Sequence, residues 1–231
     1  MNVQILQLIE GAKKATGVTV VIDVFRAMTV ESHLYSLGAE KIIPVGDIEA
    51  AYNYKKANSD VILIGERGGK ICDGFDFGNS PSQIKGHDFT GKTVIHTTSA
   101  GTQGIANAKN ADIILCAGLC NAKATAEYIR SLNPETVSLV CMGLAGVEPT
   151  DEDSLCAEYI KSLLENKPIS LCEKIEKIKH TSGAKFFDKA QADVFPEEDF
   201  YLSTKVDVFP FALRIVEENG VQYTKKTDVK I

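Results

Sequence analysis

Residues 18–29 read VTVVIDVFRAMT, and this stretch sets the fold class. Five consecutive β-branched residues predict a buried strand. The apolar residues that follow, Val30, Leu34 and Leu37, share one face of a predicted helix that ends at Gly38. A buried strand that leads directly into a helix is the repeating unit of a parallel sheet covered by helices. The stretch therefore predicts an α/β protein.

The same alternation continues along the chain. Further strands are predicted at 41–45, 61–64, 93–96, 112–117 and 136–142, and further helices at 48–58, 122–132, 154–165 and 208–218. Thr150 and Asp153 are predicted to form a capping box before the helix at 154, and Asn219 and Gly220 to end the last helix. The pattern predicts a largely parallel or mixed sheet in a three-layer α/β/α arrangement, with the active site at the carboxyl ends of the strands.

The bulk properties exclude several classes of protein. The chain has 231 residues and is 44% hydrophobic and 24% charged, without an apolar run long enough to cross a bilayer. Its net charge is −6 and its basic residues are dispersed, which argues against a nucleic-acid partner. The N-terminus lacks a secretory pattern, so we expect a cytoplasmic protein. The six scattered cysteines are expected to be buried reduced thiols.

Length and pattern together predict one α/β catalytic unit over residues 1–231. The unit is expected either as a single body or as two lobes, at about 1–115 and 116–231, with the site between them. No membrane partner is expected, and a homo-oligomer is expected only as a base rate.

The segment 65–81, GERGGKICDGFDFGNSP, carries the strongest functional signal. Its five glycines let backbone amides approach a ligand, while its charged and amide side chains supply metal ligands and anion donors. A mobile surface loop is the alternative, but the alternating aromatic residues Phe75 and Phe77 favour an anchored one. The candidate site residues in this segment are Glu66, Arg67, Asp76, Gly78, Asn79 and Ser80.

Polar residues also follow three other predicted strands. Asp23 and Arg26 come after the first strand, as metal ligand and oxyanion donor or, alternatively, as a surface ion pair. Thr29 is expected either to bind substrate or to cap the helix. The stretch TTSAGT at 97–102 predicts a phosphate or sulfonate cradle through Thr97, Thr98, Gly101 and Thr102, because ordinary capping explains only one hydroxyl. Glu152 and Asp153 are metal candidates, although helix dipoles alone favour acids there.

Several familiar motifs are rejected. Residues 86–93, GHDFTGKT, match the Walker A spacing, but no strand precedes them and Lys92 leads into a strand, so a P-loop NTPase is not indicated. Enzymes with an aspartyl nucleophile carry a second Asp two residues later, where this chain has Phe25. No Cys-x5-Arg phosphatase loop is present in the sequence. His96 is the one histidine considered near a site, and a structural role is favoured even for it.

The combination of 23–29, 65–81, 97–102 and 152–157 resembles the 2-phosphosulfolactate phosphatase family over roughly residues 18–160. The resemblance implies Mg²⁺, hydrolysis of a phosphate monoester on a sulfonated three-carbon acid, and a link to coenzyme M biosynthesis. Such a substrate carries phosphate, sulfonate and carboxylate groups, which several cationic and amide donors and a divalent metal would balance.

The working hypothesis is that Mg²⁺ polarises the phosphoryl group and water attacks it directly. It assigns catalysis to Asp23, Arg26, Glu66, Arg67 and Asp76, and metal binding to Asp23, Asp76, Glu152 and Asp153, with Glu66 as a further metal candidate. Two alternatives stay open at this point: a phosphatase of another 2-hydroxy-acid phosphate, and a non-catalytic binder of an organic anion.

Overall fold

A computed structural model describes residues 1–230, which form ten strands and nine α-helices. The strands are β1 (Asn2–Gln7), β2 (Gly17–Ile22), β3 (Lys41–Pro44), β4 (Ile62–Arg67), β5 (Lys70–Ile71), β6 (Thr93–Thr97), β7 (Ala111–Ala117), β8 (Thr136–Cys141), β9 (Phe211–Glu218) and β10 (Val221–Asp228). The helices are α1 (Leu8–Lys14), α2 (Ala27–Ser36), α3 (Ile48–Ala57), α4 (Pro81–Ile84), α5 (Gly101–Asn107), α6 (Ala122–Leu132), α7 (Asp151–Leu164), α8 (Cys172–Ile178) and α9 (Glu197–Thr204). No helix within these residues is both long and apolar enough to span a bilayer.

The strands form one mixed sheet with the order β1-β8-β2-β7-β9-β10-β3-β6-β4-β5. It contains two parallel blocks, β1-β8-β2-β7 and β3-β6-β4, joined by the antiparallel hairpin β9–β10. Each of the six strands predicted from the sequence lies in one of these blocks, so those predictions are confirmed. β1 and β5, at the two edges of the sheet, and the hairpin were not predicted.

The sheet lies between two layers of helices, as alternate residues of β2 illustrate. Val21 belongs to a core cluster shared with α2 and α5, whereas Val20 and Ile22 belong to a second cluster shared with α6 and α7. Because successive side chains of a strand point to opposite faces, this division places β2 between helices on both sides. The expected three-layer α/β/α arrangement is confirmed.

One predicted helix is wrong. Residues 208–218 contain strand β9, which pairs antiparallel with β10 along its whole length. Phe211, Leu213 and Ile215 alternate with Ala212 and Arg214, a period of two. Asn219 and Gly220 both have positive φ, 53° and 76°, so they form the turn of a β-hairpin and do not end a helix.

Most of the other predictions about local structure are confirmed. The helices at 48–58, 122–132 and 154–165 correspond to α3, α6 and α7, with α7 beginning three residues earlier than expected. Five cysteines are buried free thiols, while Cys172 is exposed. The Walker-like segment is a turn before β6 in which Gly91 has a φ of 68°, and Thr93 begins the strand. The division of the chain into one or two lobes stays a prediction.

Candidate active site

Loops from both parallel blocks converge on a cavity of about 350 Å³. Asp23 follows β2, Glu66 lies near the end of β4, Ser99 follows β6, and Gly143 follows β8. The two blocks are in contact here, since a Cβ atom built on Gly101 of the second block would lie 2.9 Å from Asp23 Oδ2 of the first. The cavity therefore lies at the carboxyl ends of the strands, where α/β proteins bind ligands.

Three buried carboxylates, Asp23, Glu66 and Glu152, line this cavity, and we call them the acidic wall. The pKa of Asp23 is raised to about 6, mainly by burial and also by the nearby Glu66 and Glu152, while a hydrogen bond from the Ala27 amide at 3.1 Å opposes the shift. Burial also raises the pKa of Glu152, opposed first by a hydrogen bond from the Ser182 hydroxyl. The acidic wall thus concentrates negative charge that a bound cation would offset.

Glu66 also holds two loops together. Its Oε2 accepts hydrogen bonds from the Gly69 amide at 2.6 Å and the Ser99 hydroxyl at 3.1 Å, and its Oε1 accepts one from the Ser99 amide at 2.7 Å. The expected long loop at 65–81 is therefore shorter than predicted: Glu66 and Arg67 belong to β4, and a tight turn at Gly68 and Gly69 follows them.

Asp153 is placed behind the acidic wall. Its Oδ1 accepts a hydrogen bond from the Val24 amide and its Oδ2 one from the Gly143 amide, each at 2.8 Å, so it joins the loops after β2 and β8. Burial raises its pKa well above the usual range, and the neighbouring Glu152 and Asp23 add to the shift. The predicted capping box is wrong, because the Thr150 side chain caps nothing and its buried Oγ1 lacks a hydrogen-bond partner within residues 1–230.

Arg26 lies in a buried ion pair that sequence reasoning did not anticipate. One guanidinium nitrogen lies 2.7 Å from Asp199 Oδ2 and donates to the Val194 carbonyl at 2.9 Å. The Phe195 ring covers the guanidinium, with its centroid 5.0 Å from Cζ. Asp199 also accepts hydrogen bonds from Ser80 Oγ and the Ser82 amide, each at 2.9 Å. The alternative of a surface ion pair is wrong, since only 3% of Arg26 is exposed.

Arg67 and Asp76 do not line the cavity. Arg67 donates to the carbonyl of Glu66 at 2.7 Å, to that of Gly46 at 3.2 Å and to Thr97 Oγ1 at 2.8 Å, so it supports the end of β4. Asp76 accepts a hydrogen bond from the Leu63 amide at 2.8 Å and lies 3.4 Å from Lys55 Nζ, with 40% of its side chain exposed. The structure does not bring Asp76 together with the acidic wall.

The threonines of the predicted cradle mainly support one another. Thr98 and Thr102 exchange two bonds of 3.2 Å between backbone amide and side-chain hydroxyl at the start of α5. Gly101 lies against Asp23, Ala27 and Met28, too close for any side chain. Thr29 lies inside α2 and its hydroxyl donates to the Val24 carbonyl at 2.9 Å, so its predicted alternative as the N-cap is wrong.

Asn79 reaches the cavity, and a chain of buried polar groups lies behind it. Its Oδ1 lies 3.3 Å from His96 Nε2, while His96 Nδ1 lies 2.9 Å from Glu31 Oε1. Glu31 Oε2 in turn accepts a hydrogen bond from Thr224 on β10 at 2.8 Å. Gly78 and Ser80 flank Asn79: the Gly78 amide donates to Gln83 Oε1 at 3.0 Å, and Ser80 is the N-cap of α4. His96 is thus a buried, hydrogen-bonded histidine, as expected.

The sequence analysis missed the site residues that come from the segment 181–199. Lys185 and Phe195 line the cavity, and Asp199 pairs with Arg26. Phe195 packs so closely on the turn after β4 that a Cβ on Gly69 would lie 2.5 Å from its ring. The sequence carries no strong signal for these residues, because the segment forms two short 3₁₀ helices, Ala184–Phe187 and Lys189–Gln191, without amphipathic periodicity.

The fold and the site together define a class of protein: an α/β protein whose strand ends enclose a small cavity with acidic residues on one side and basic residues on the other. Comparison with known proteins gives the family. The family described as 2-phosphosulpholactate phosphatase matches residues 3–211. This chain belongs to that family, and it is therefore an enzyme of the phosphatase class.

Three relatives illustrate the match, and each carries the name "Probable 2-phosphosulfolactate phosphatase". The one from Bacillus subtilis strain 168 is 35% identical over 208 residues, which cover 88% of this chain and 89% of the relative. The one from Clostridium perfringens strain 13 is 34% identical and covers 93% and 91%. The one from Caldicellulosiruptor saccharolyticus is 41% identical and covers 72% and 71%.

Proposed function

We propose that this protein is a magnesium-dependent phosphatase that hydrolyses 2-phosphosulfolactate to sulfolactate and inorganic phosphate. The observation that carries the proposal is the acidic wall, because three buried carboxylates facing one small cavity suit a divalent cation and a phosphorylated ligand. The family match and the names of the relatives support the choice of substrate.

The acidic wall fits Mg²⁺ in its chemistry, although no three His, Cys, Asp or Glu side chains within residues 1–230 form a ready-made metal cluster. Magnesium takes oxygen ligands and usually keeps several waters, so one or two carboxylates and the substrate phosphate suffice. Asp23 and Glu152 would hold the ion, with Glu66 beside them. A bound Mg²⁺ supplies charge stabilisation at the phosphoryl oxygens. Of the other metal candidates, Asp153 is tied to two backbone amides and Asp76 lies outside the cavity.

The residues of the chain would position the ester and keep bulk water out. Phe195 and the turn at Gly68 and Gly69 cover one side of the cavity. Asn79 faces the cavity with its Oδ1 3.3 Å from His96 Nε2, and its amide nitrogen can donate to a bound oxyanion. In the reaction, the oxygen of water bonds to phosphorus, the bond from phosphorus to the ester oxygen breaks, and a proton from the water ends on the leaving oxygen.

Direct attack by water is favoured over a phosphoenzyme. An aspartyl nucleophile would be Asp23, and the acid that usually accompanies it two residues later is replaced by Phe25. The Phe25 ring packs 4.9 Å from Phe186 and 5.7 Å from Phe200, so this position belongs to an aromatic cluster. Rapid quenching after brief exposure to substrate should therefore trap no phospho-aspartate, and trapping one would overturn this part of the proposal.

The proposal is tested by measuring inorganic phosphate released from 2-phosphosulfolactate, phospholactate and phosphoglycolate, with Mg²⁺ and with excess EDTA. We expect release from phosphosulfolactate that EDTA abolishes and added Mg²⁺ restores. A preference for either of the other esters would identify a phosphatase of another 2-hydroxy-acid phosphate. No release from any of them, with binding retained, would identify a non-catalytic binder of an organic anion.

The proposal also covers cellular context. We propose a cytoplasmic enzyme that acts in coenzyme M biosynthesis on a small anionic substrate, without a nucleic-acid or membrane partner, and the support is the family resemblance together with a net charge of −6. Cell fractionation and the sulfolactate content of a deletion strain test these points. Size-exclusion chromatography with light scattering tests the base-rate expectation of a homo-oligomer.

A further inference from the structure

The side chains that line the cavity carry more negative than positive charge, although the proposed ligand is itself an anion. The acidic wall contributes three carboxylates, whereas the basic side chains that line the cavity are Arg26 and Lys185. An ester with two or three negative groups would be repelled by the acidic wall unless cationic groups meet it. The question is which of the basic groups is free to do so.

The two arginines assigned to catalysis from the sequence already have protein partners. Arg26 forms its buried ion pair with Asp199, so its charge is balanced within the protein. Arg67 donates to two backbone carbonyls and to Thr97, and it lies outside the cavity lining. Arg26 therefore offers no uncompensated charge to a ligand, and Arg67 does not reach the cavity.

Lys185 is in a different situation. It lies on the 3₁₀ helix Ala184–Phe187, where it lines both this cavity and an adjacent one of about 500 Å³. Within residues 1–230 its ammonium group makes no salt bridge. It is surrounded by the rings of Phe25, Phe186 and Phe195, whose centroids lie 5.8, 5.6 and 5.2 Å from Nζ.

The surroundings of Lys185 point to a missing anion. Burial lowers the pKa of its ammonium group, the carboxylates of Glu152, Asp23 and Asp153 oppose that shift, and the charge of Arg26 adds to it, yet none of these carboxylates forms a salt bridge with Lys185. Lys185 is half-buried, and an ammonium group that has lost part of its water without a hydrogen-bonded counter-ion gains from an anionic partner. An anion that enters the cavity would supply this partner and so bind more tightly.

We propose that Lys185 is the substrate-anchoring residue of this site and that its ammonium group binds a tetrahedral oxyanion of the substrate, either the phosphoryl or the sulfonate group. The inference deepens the proposed function and rests on it, because it assigns the anion contact that the arginines do not make. A purely structural lysine, present only to balance Glu152, would instead affect stability and leave anion binding unchanged.

The experiment compares Lys185→Met, Lys185→Arg and the control Lys189→Met in the full-length protein. Lys189 is exposed and lies four residues further along, so its variant removes the same charge outside the cavity. Calorimetry measures binding of inorganic phosphate and, separately, of methanesulfonate, each with Mg²⁺ present. Steady-state assays then measure KM and kcat, and thermal unfolding verifies that each variant is folded.

We expect Lys185→Met to weaken binding of at least one of the two anions tenfold or more, and to raise KM more than it lowers kcat. Lys185→Arg should recover part of the affinity, and Lys189→Met should match the wild type. The anion that loses affinity identifies the group that Lys185 contacts. Unchanged binding of both anions in folded Lys185→Met would overturn the inference, as would an equal loss in Lys189→Met. If the wild type hydrolyses none of the esters, the proposed function fails, while anion binding still tests Lys185.

Discussion

The two sides of the cavity are built in opposite ways. The acidic wall comes from the ends of regular strands and the first turn of α7, and its carboxylates lack cationic partners at salt-bridge distance within residues 1–230. The other side comes from the irregular segment 181–199, whose Asp199 forms a closed ion pair with Arg26 among phenylalanine rings. The comparison indicates that the acidic wall is arranged for a ligand, whereas most of the opposite side is arranged for stability, with Lys185 as the exception.

The largest effect is expected at the acidic wall. Asp23→Asn should lower phosphatase activity on the order of 10³-fold, because a ligand of the proposed metal is lost. The same change should stabilise the metal-free protein, since it removes a buried charge. The pKa of Asp23 is raised from 3.8 to about 6, a shift that corresponds to an upper limit of about 3 kcal/mol in the free energy of unfolding.

The gain in stability should depend on pH. The folded state retains the Asp23 proton up to about pH 6, whereas the unfolded chain loses it near pH 4, so this group lowers stability as the pH rises between those values. Urea unfolding in EDTA should therefore show Asp23→Asn to be more stable than the wild type at pH 8 and nearly equal at pH 4. A variant less stable than the wild type at pH 8 would contradict the account of the acidic wall.

On the opposite side, breaking the ion pair should mainly affect stability. Asp199→Asn leaves the Arg26 charge buried without its counter-ion, which should lower the free energy of unfolding by about 3–5 kcal/mol. The neighbouring Glu198 pairs with Lys85 on the surface, with side chains 49% and 63% exposed. Glu198→Gln is therefore the matched control, with an expected loss below about 1 kcal/mol. Equal losses in the two variants by urea unfolding would refute the structural role of Asp199.

The contact between the two sides can be tested at the turn after β4. Gly69 has a φ of 83° and no room for a Cβ beside Phe195, whereas Gly68 has a φ of 59° and open space around it. Both changes to alanine should lower stability by about 1 kcal/mol through backbone strain. Only Gly69→Ala should also displace Phe195 and lower kcat/KM, by roughly tenfold. Similar kinetics in the two variants would show that this contact does not support activity.

The smallest effect is expected at Asp76. It was predicted from the sequence as a catalytic and metal-binding residue, yet it lies outside the cavity beside Lys55. Asp76→Asn should change kcat/KM less than about threefold, since surface changes away from a site have little effect. A loss comparable to that of Asp23→Asn would restore the original prediction and move the proposed metal site.

The position of some site residues follows from the sequence, whereas the position of others does not. Asp23 comes directly after β2, and Glu66 lies near the end of β4. The pattern of apolar residues in these two strands is therefore enough to place both side chains at the carboxyl ends of the strands. The direction of a side chain in the segment 65–81 does not follow from periodicity. The Asp76 side chain accepts a hydrogen bond from the Leu63 amide, whereas the Asn79 side chain lines the cavity. The direction of each side chain depends on the folded conformation of this segment and cannot be inferred from the spacing of the residues.

Contacts distant in sequence explain the rest. Asp199 lies 173 residues from Arg26, and nothing local to either residue indicates the pair. The helix predicted at 208–218 is wrong because a turn of Asn and Gly can follow either a helix or a strand, whereas the alternation at 211–215 has the period of a strand. The predicted positions were therefore correct where a strand end alone determines them, and wrong or missing where distant segments pack together.

The most direct test of the account is calorimetric titration of Mg²⁺ into the wild type, Asp23→Asn and Asp76→Asn, in the presence of sulfolactate. We expect one magnesium ion per chain in the wild type, unchanged binding in Asp76→Asn, and binding at least tenfold weaker in Asp23→Asn. Unchanged magnesium binding in folded Asp23→Asn, or its loss in Asp76→Asn, would contradict the assignment of the acidic wall as the metal site.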